Sequence, residues 1–219
     1  MASLSPAPAG LGLRVIDRLR HRPGRAGRLD HEPAVQTASV LFMAVLTAVA
    51  AQVSIPVPFS AVPFTFQPTV VLLGGLVLGA RLGAASQCLY LAAGIAGLPV
   101  FASSLTLPPG LLRLLGPTGG FLMAYPLAAF VTGALAQRGF DRRYLTSVLA
   151  MLAGMAVIYA GGAAWLGLAA RTVAGASAVG LQAAIATGVA PFVVADVFKI
   201  AAAAGAVPGL WRLLGAPRA

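Results

Sequence analysis

Long hydrophobic stretches separated by polar or proline-rich connections make up the chain from residue 33 onward. Because about 20 apolar residues cross a bilayer as a helix, these stretches predict transmembrane helices. We predict an all-α, polytopic membrane protein with six transmembrane helices, and the six-helix membrane domain is expected to cover residues 33–210. The predicted spans, of which the second and third are short, are Ala34–Val53, Thr69–Ala80, Gly83–Leu98, Gly119–Gln137, Tyr144–Ala170 and Pro191–Val207.

Three connections have patterns of their own. Residues 55–68 contain four prolines, which exclude a regular helix and predict an extended loop with Gln67 as its one amide. Residues 116–120 read Gly-Pro-Thr-Gly-Gly, which predicts a tight turn that serves either as a helix entry or as a ligand-facing lid. Residues 172–189 are small and weakly amphipathic, and predict an interfacial segment.

The last hydrophobic segment contains Asp196 and Lys199, the one acid and the one lysine of the hydrophobic body. Residues three apart project from the same face of a helix. A charge inside a bilayer costs about 2.5–3.5 kcal/mol on insertion scales, so an ionisable pair at this depth indicates a functional site. The alternative is an internal ion pair that only holds the last helix in place.

The arginines indicate an orientation. With residues 1–32 inside, the predicted inner segments hold twelve arginines and the outer segments hold only Arg113 and Arg171. The positive-inside rule then places both termini in the cytoplasm. Residues 1–32 are predicted to be a flexible basic cytoplasmic arm, solvated or in contact with anionic lipid, and residues 211–219 a short cytoplasmic tail.

This orientation also predicts where the unusual features meet. Asp196 and Lys199 lie in the first two turns of a helix that begins outside, and both unusual loops fall on the same side. We therefore expect an outward-facing cavity formed by the proline-rich loop, the Gly-Pro-Thr-Gly-Gly turn and the charged pair.

Composition excludes several classes of function. The net charge is +10, but the arginines sit at the ends of hydrophobic segments, which argues against nucleic acid as a partner. Both histidines lie in the arm and the single cysteine, Cys88, lies in an apolar run, so we predict no metal site and no cofactor. There is no P-loop motif and no catalytic constellation, so binding or transport is favoured over an enzyme.

Several motifs in order closely resemble the BioY family. They are the stretch from Ala44 to Gln67, Leu98-Pro-Val-Phe-Ala102, Gly116-Pro-Thr-Gly-Gly-Phe121, the Tyr159 and Trp165 pattern, and Pro191-Phe-x-x-x-Asp-x-x-Lys199. The resemblance covers roughly residues 34–207 and leaves the arm out. Members of this family are the biotin-specific substrate-binding subunits of energy-coupling-factor transporters.

The resemblance implies a protein of the cytoplasmic membrane of a bacterial-type cell that holds biotin, the transported ligand, near its outer face. It implies as partners a transmembrane coupling subunit, a pair of cytoplasmic ATP-binding subunits and the membrane lipids. Ala44 and Ala48, one helical turn apart, look like the family's docking motif for the coupling subunit. The alternative is an ordinary alanine-rich helix.

For the ligand site we predict that Asp196 accepts hydrogen bonds from the ureido N–H groups of biotin. Lys199 would donate to the ureido oxygen or, alternatively, to the carboxylate. Gln67 and Thr118 are candidate polar contacts, or else loop caps. Tyr159 is a candidate wall for the ligand, as is Trp165, and the alternative for both is a core or interfacial aromatic residue.

The chain departs from the family pattern in the finer ligand contacts. Ser103 and Ser104 stand where some members have asparagine, Phe121 where tyrosine is common and Leu122 where some have arginine. Two other functions remain open at this point. One is a self-sufficient secondary transporter that uses Asp196 as a proton site, and the other is a structural subunit that binds no ligand.

Overall fold

The computed structural model describes residues 33–103, 108–169 and 180–213. The predicted arm, residues 1–32, lies outside the described residues. The described helices are α1 (Pro33–Gln52), α2 (Gln67–Leu78), α3 (Ala80–Ile95), α4 (Leu112–Leu115), α5 (Gly119–Leu135), α6 (Tyr144–Ala164), α7 (Leu181–Gly188), α8 (Ala190–Ala204) and α9 (Ala206–Leu213). Short π-helical turns, Ala136–Phe140 and Trp165–Ala169, extend α5 and α6.

Four helical segments of the described chain are long and apolar enough to cross a membrane. They are Pro33–Gln52, Gly119–Phe140, Tyr144–Leu168 and Ala190–Gly209, and they correspond to the first, fourth, fifth and sixth predicted spans. The predicted second and third spans are present as the shorter helices α2 and α3, of 12 and 16 residues. An all-α membrane protein is therefore confirmed, while the count of six spans and the cytoplasmic termini stay predictions.

The division between α2 and α3 falls at Gly79, whereas the predicted spans Thr69–Ala80 and Gly83–Leu98 placed it after Ala80. Gly79 has φ 82° and joins two helices that follow each other without a longer loop. A residue with a Cβ atom rarely adopts this left-handed conformation, whereas glycine does so readily. The change of direction therefore takes a single residue.

The proline-rich loop contains a short hairpin that the sequence did not predict. Strands β1 (Ser54–Ile55) and β2 (Phe64–Thr65) pair antiparallel, with Ser54 opposite Thr65. The prolines lie between and after these strands, where no ladder hydrogen bond is required of them. Pro68 then occupies the first turn of α2, where its missing N–H costs nothing.

Helix α5 lies at the centre of the bundle. It packs against α2, α3 and α6, while α1 covers α2 and α3 and α8 covers α6 and α2. Large side chains that are fully buried fill the interior, among them Tyr90, Leu72, Met151, Ile158 and Ile200. Between helices in a bilayer such packing contacts are the main stabilising interaction, because lipid is as apolar as the helices.

Small residues allow the central helices to approach closely. A Cβ atom on Gly120 of α5 would overlap the Trp165 Cβ atom and lie 2.5 Å from the Gly161 carbonyl oxygen. Glycine at this position therefore permits the contact between the start of α5 and the end of α6, the helices that flank the cavity described next.

The outer surface of the helices is apolar. Large apolar side chains on α1 and α8 are more than half exposed. They are Phe42, Val45 and Val49 on α1, and Val194 and Phe198 on α8. Side chains of this kind on the outside of a bundle indicate a surface that faces lipid.

Candidate functional site

A cavity of about 630 Å³ opens at one end of the bundle, where α5, α6 and α8 meet the β1–β2 hairpin. Its lining includes the proline-rich loop, Pro117 and Thr118 of the Gly-Pro-Thr-Gly-Gly turn, and both Asp196 and Lys199. The predicted meeting of the two loops with the charged pair is therefore confirmed. Arg138, Arg142 and Arg143 lie at the other end of α5, about 25 Å away along its 17 residues.

Asp196 and Lys199 form an ion pair on the inner face of α8. Their side chains are only 6 % and 10 % exposed. The other oxygen of the Asp196 carboxylate accepts a hydrogen bond of 2.6 Å from the Tyr159 hydroxyl on α6. Tyr159, predicted as a wall for the ligand, is thus also a direct partner of the acid.

Lys199 connects α8 to the hairpin. Its ammonium group donates a hydrogen bond of 2.8 Å to the Thr65 carbonyl oxygen and lies 4.2 Å from the centre of the Phe64 ring. A second ring, that of Phe66, is 5.5 Å away. Cation–π contacts of this kind favour a cation at a desolvated position. The hairpin is therefore held over the cavity by the same lysine that pairs with Asp196.

Gln67 lies at the start of α2 and is 3 % exposed. It lines the cavity, and its amide N–H donates to the hydroxyl of Tyr90 on α3. That hydroxyl in turn donates to the Val100 carbonyl oxygen at 3.2 Å. Gln67 is thus neither a free surface amide nor a simple loop cap, because its side chain is oriented by Tyr90 at the edge of the cavity.

Thr118 lines the cavity immediately before α5 begins, and its side chain makes no capping hydrogen bond there. The preceding turn is fixed from α6 by Trp165, whose indole N–H donates a bond of 2.9 Å to the Gly116 carbonyl oxygen. Trp165 therefore positions the turn, and it does not belong to the lining of the cavity.

The sequence predicted only that Arg113 lies in a connection on the outer side. In the structure it lies on the one-turn helix α4, is 9 % exposed and lines the cavity. Burial lowers the pKa of its guanidinium group, because the charged form is desolvated. No local pattern signals this burial; a charged residue inside an otherwise apolar, proline-flanked loop is the only hint.

Ala44 and Ala48 lie on the face of α1 that packs into the bundle. Ala44 is 7 % exposed in the core and Ala48 is partly buried against it. Their spacing therefore serves the packing of α1 on its own neighbours in this structure. The docking role for a coupling subunit stays a prediction.

Metal binding has no support in the described part of the chain. Within residues 33–103, 108–169 and 180–213, no three or more His, Cys, Asp or Glu side chains are grouped so that they could hold a metal ion. The cavity instead combines aromatic and aliphatic walls with a few oriented polar groups, as is usual for a small organic ligand.

Comparison with known proteins agrees with this architecture. The sequence model of the BioY family matches residues 25–216. The chain belongs to the BioY family.

Two relatives illustrate the match to BioY proteins. A Pyrococcus horikoshii protein named "Probable biotin transporter BioY" is 40% identical over 170 residues, which are 78% of this chain and 92% of that protein. The "Biotin transporter BioY" of Thermotoga maritima is 36% identical over 150 residues, covering 68% of this chain and 81% of that one.

The fold also matches a solved structure, described as the crystal structure at 2.1 Å of the S-component for biotin from an ECF-type ABC transporter. The TM-score is 0.70 at 23% sequence identity, and the alignment covers 82% of this chain and 92% of the other. At this identity the match shows the fold.

The structure describes three of the four residues at which this BioY chain departs from the family pattern, and all three line the cavity. Phe121 and Leu122 at the start of α5 both line it, and so does the exposed Ser103. Ser104 lies outside the described residues. The departures therefore concern the lining of the cavity, while Asp196 and Lys199 belong to the motif on which the resemblance rests.

Proposed function

We propose that this chain takes up biotin across the cytoplasmic membrane as the substrate-binding subunit of an energy-coupling-factor transporter. The observation that supports this most directly is the buried pair Asp196 and Lys199 at the wall of the cavity, in a chain that belongs to the BioY family. Relatives in that family have names that describe biotin transport.

The proposed binding mode uses the charged pair for the ureido group of biotin. Asp196 accepts from a ureido N–H donor, and Lys199 donates to the ureido oxygen. Hydrogen bonds to charged groups in a water-poor site are shorter and stronger than neutral ones. Tyr159 holds the Asp196 carboxylate in place through its 2.6 Å bond.

The remaining cavity supplies an apolar surface and two weaker polar contacts. Phe101, Phe121 and Ile158 line the space for the thiophane ring and the aliphatic tail. Gln67 and Thr118 are the proposed additional polar contacts, since both line the same space.

In this proposal six membrane-crossing segments place both termini in the cytoplasm, with α2 and α3 as the two shorter crossings. The cavity then opens outward, opposite the arginines that follow α5. Fusions of a reporter enzyme at the two termini and at residues 139 and 110 test this arrangement. A terminus or residue 139 reporting from outside would contradict it.

The proposed partners are a transmembrane coupling subunit and cytoplasmic ATP-binding subunits. Docking through Ala44 and Ala48 would require α1 to separate from the core or the partner to reach Ala48 at its edge, because Ala44 is buried. Co-purification of the coupling subunit with wild type and with Ala48→Leu tests this contact, with Val49→Leu on the exposed face as the matched control.

Calorimetric titration of the purified, detergent-solubilised protein with biotin tests the proposed function. Saturable binding supports it, and a folded protein that does not bind biotin contradicts it.

The second candidate is a self-sufficient secondary transporter in which Asp196 carries a proton, and the burial of that acid is the observation that favours it. Biotin uptake in cells without any coupling subunit, abolished by an uncoupler, would support this alternative. Uptake that appears only with the coupling and ATP-binding subunits would support the first proposal.

A further inference from the structure

A second cationic group lies in the cavity besides Lys199. Arg113 on α4 is 9 % exposed and lines the same space. Its Nε atom is buried without a hydrogen-bond partner among the described residues. Buried polar atoms in folded proteins nearly always have a partner, so this guanidinium group lacks, among the described residues, the hydrogen bonds that a buried arginine normally makes.

The charges in the cavity do not balance. Among the described residues that line it, Arg113 and Lys199 are cationic and Asp196 is the one anion. Asp196 is paired with Lys199, and Arg113 forms no ion pair with a carboxylate in the described chain. Because an isolated buried charge is costly, a cavity with one excess positive charge favours an anionic ligand.

Arg113 and the Asp196–Lys199 pair lie on different elements of the cavity wall, α4 and α8. Aromatic rings line the same space, among them those of Phe101, Phe121 and Tyr125. A ligand that reaches both charged positions therefore needs a polar group for each of them and an apolar part for the aromatic lining.

We infer that Arg113 is the carboxylate-binding residue of this cavity. The inference rests on the proposed function, and it assigns the two ends of the ligand: the ureido ring lies at Asp196 and Lys199, and the carboxylate at the end of the tail lies at Arg113. A guanidinium group offers parallel N–H donors that match a carboxylate in a bidentate geometry. It also leaves the third N–H donor of the Lys199 ammonium group, which already binds Asp196 and the Thr65 carbonyl oxygen, for the ureido oxygen.

The inference predicts that replacing Arg113 weakens the binding of a ligand that has a carboxylate and leaves the binding of its neutral amide nearly unchanged. Biotin and biotinamide, which has a neutral carboxamide in place of the carboxylate, are titrated into the wild type, Arg113→Gln and Arg113→Lys by calorimetry. Loss of a hydrogen-bonded charge pair corresponds to about 10- to 100-fold in affinity. We expect Arg113→Gln to weaken biotin by this factor and to change biotinamide about twofold or less. Arg113→Lys, which keeps the charge but loses the bidentate geometry, should fall between.

Equal losses for biotin and biotinamide in Arg113→Gln would overturn the inference, since they indicate a structural role for the residue. Unchanged biotin affinity in that variant would overturn it as well. If neither variant folds, as judged by thermal unfolding without ligand, the wild type still decides: equal affinity for the two compounds contradicts a carboxylate contact. Failure of the proposed function is distinct, because the wild type would then bind neither compound.

Discussion

Replacing Asp196 by asparagine removes the negative charge of the cavity while the side chain keeps its size. In the structure one carboxylate oxygen accepts from Tyr159 and the other pairs with Lys199. An ionised carboxylate has about four acceptor positions, of which these contacts occupy two. A ureido N–H group of biotin can therefore be added without displacing either partner, while the second ureido N–H lies on the opposite side of the ureido carbonyl and points away from this carboxylate.

The expected magnitude follows from that added bond. A hydrogen bond to a charged group contributes about 1.5–3 kcal/mol. Asparagine keeps one carbonyl oxygen and can retain a neutral bond of about 1 kcal/mol. The net loss is about 0.5–2 kcal/mol, which corresponds to a fall in biotin affinity of about 2- to 30-fold.

Calorimetry on the detergent-solubilised protein measures this loss, and thermal unfolding without ligand shows whether the variant is folded. Asp141→Asn is the matched control. As whole residues, Asp141 is 6 % and Asp196 is 4 % exposed, but Asp141 lies beyond the far end of α5 and does not line the cavity. We expect its substitution to leave biotin affinity unchanged.

A folded Asp196→Asn variant with wild-type affinity for biotin would refute the reasoning. If the same variant also unfolded at a lower temperature than wild type, the pair would be an internal ion pair that stabilises α8. Breaking a buried pair typically costs about 3–5 kcal/mol, so such a stability effect would be measurable.

Three further changes test the supports of the cavity. Lys199→Met removes the donor to the Thr65 carbonyl oxygen, so hydrogen exchange measured by mass spectrometry should become faster in residues 54–65. Trp165→Phe leaves the Gly116 carbonyl oxygen without its indole donor, and unfolding should show a loss of about 0.5–1.5 kcal/mol. Gly120→Ala places a methyl group against the Trp165 Cβ atom, and overpacking of this kind should destabilise the protein by about 1–3 kcal/mol in the same assay.

Each of these has its own contradicting result. Unchanged exchange in the hairpin of Lys199→Met would mean that the lysine does not hold it. A Trp165→Phe protein as stable as wild type would show that the indole hydrogen bond to the Gly116 carbonyl oxygen does not stabilise the turn. A Gly120→Ala protein as stable as wild type would show that α5 and α6 tolerate a wider separation than the structure has.

The helices were predictable to the extent that their signals are local. A run of about 20 apolar residues defines a span whatever it packs against, and α1, α6 and α8 lie close to their predicted bounds. Prolines near residues 68 and 191 mark two helix starts because the ring suits the first turn. The β1–β2 hairpin was missed because two-residue strands carry no periodic pattern.

The site was predictable in part. Asp196 and Lys199 stand out because charges are rare in an apolar segment, and their spacing of three places them on one face of α8. Tyr159 was singled out through the family resemblance, but its bond to Asp196 depends on how α6 and α8 pack. The burial of Arg113 was not predicted, because an arginine in a loop is normally solvated and the apolar, proline-flanked sequence around it is only a weak signal.

The sequence by itself determined that the chain is an apolar, helical membrane protein with an ionisable pair in its last long helix, and the motifs in order indicated the BioY family. Only the tertiary structure decided which distant groups complete the cavity. The Lys199 ammonium group, for example, donates to the carbonyl oxygen of Thr65, a residue 134 positions earlier in the chain. Local patterns report which face of a segment is apolar, but partners so far apart in the chain are chosen by helix packing, in which small residues such as Gly120 set how closely the helices approach.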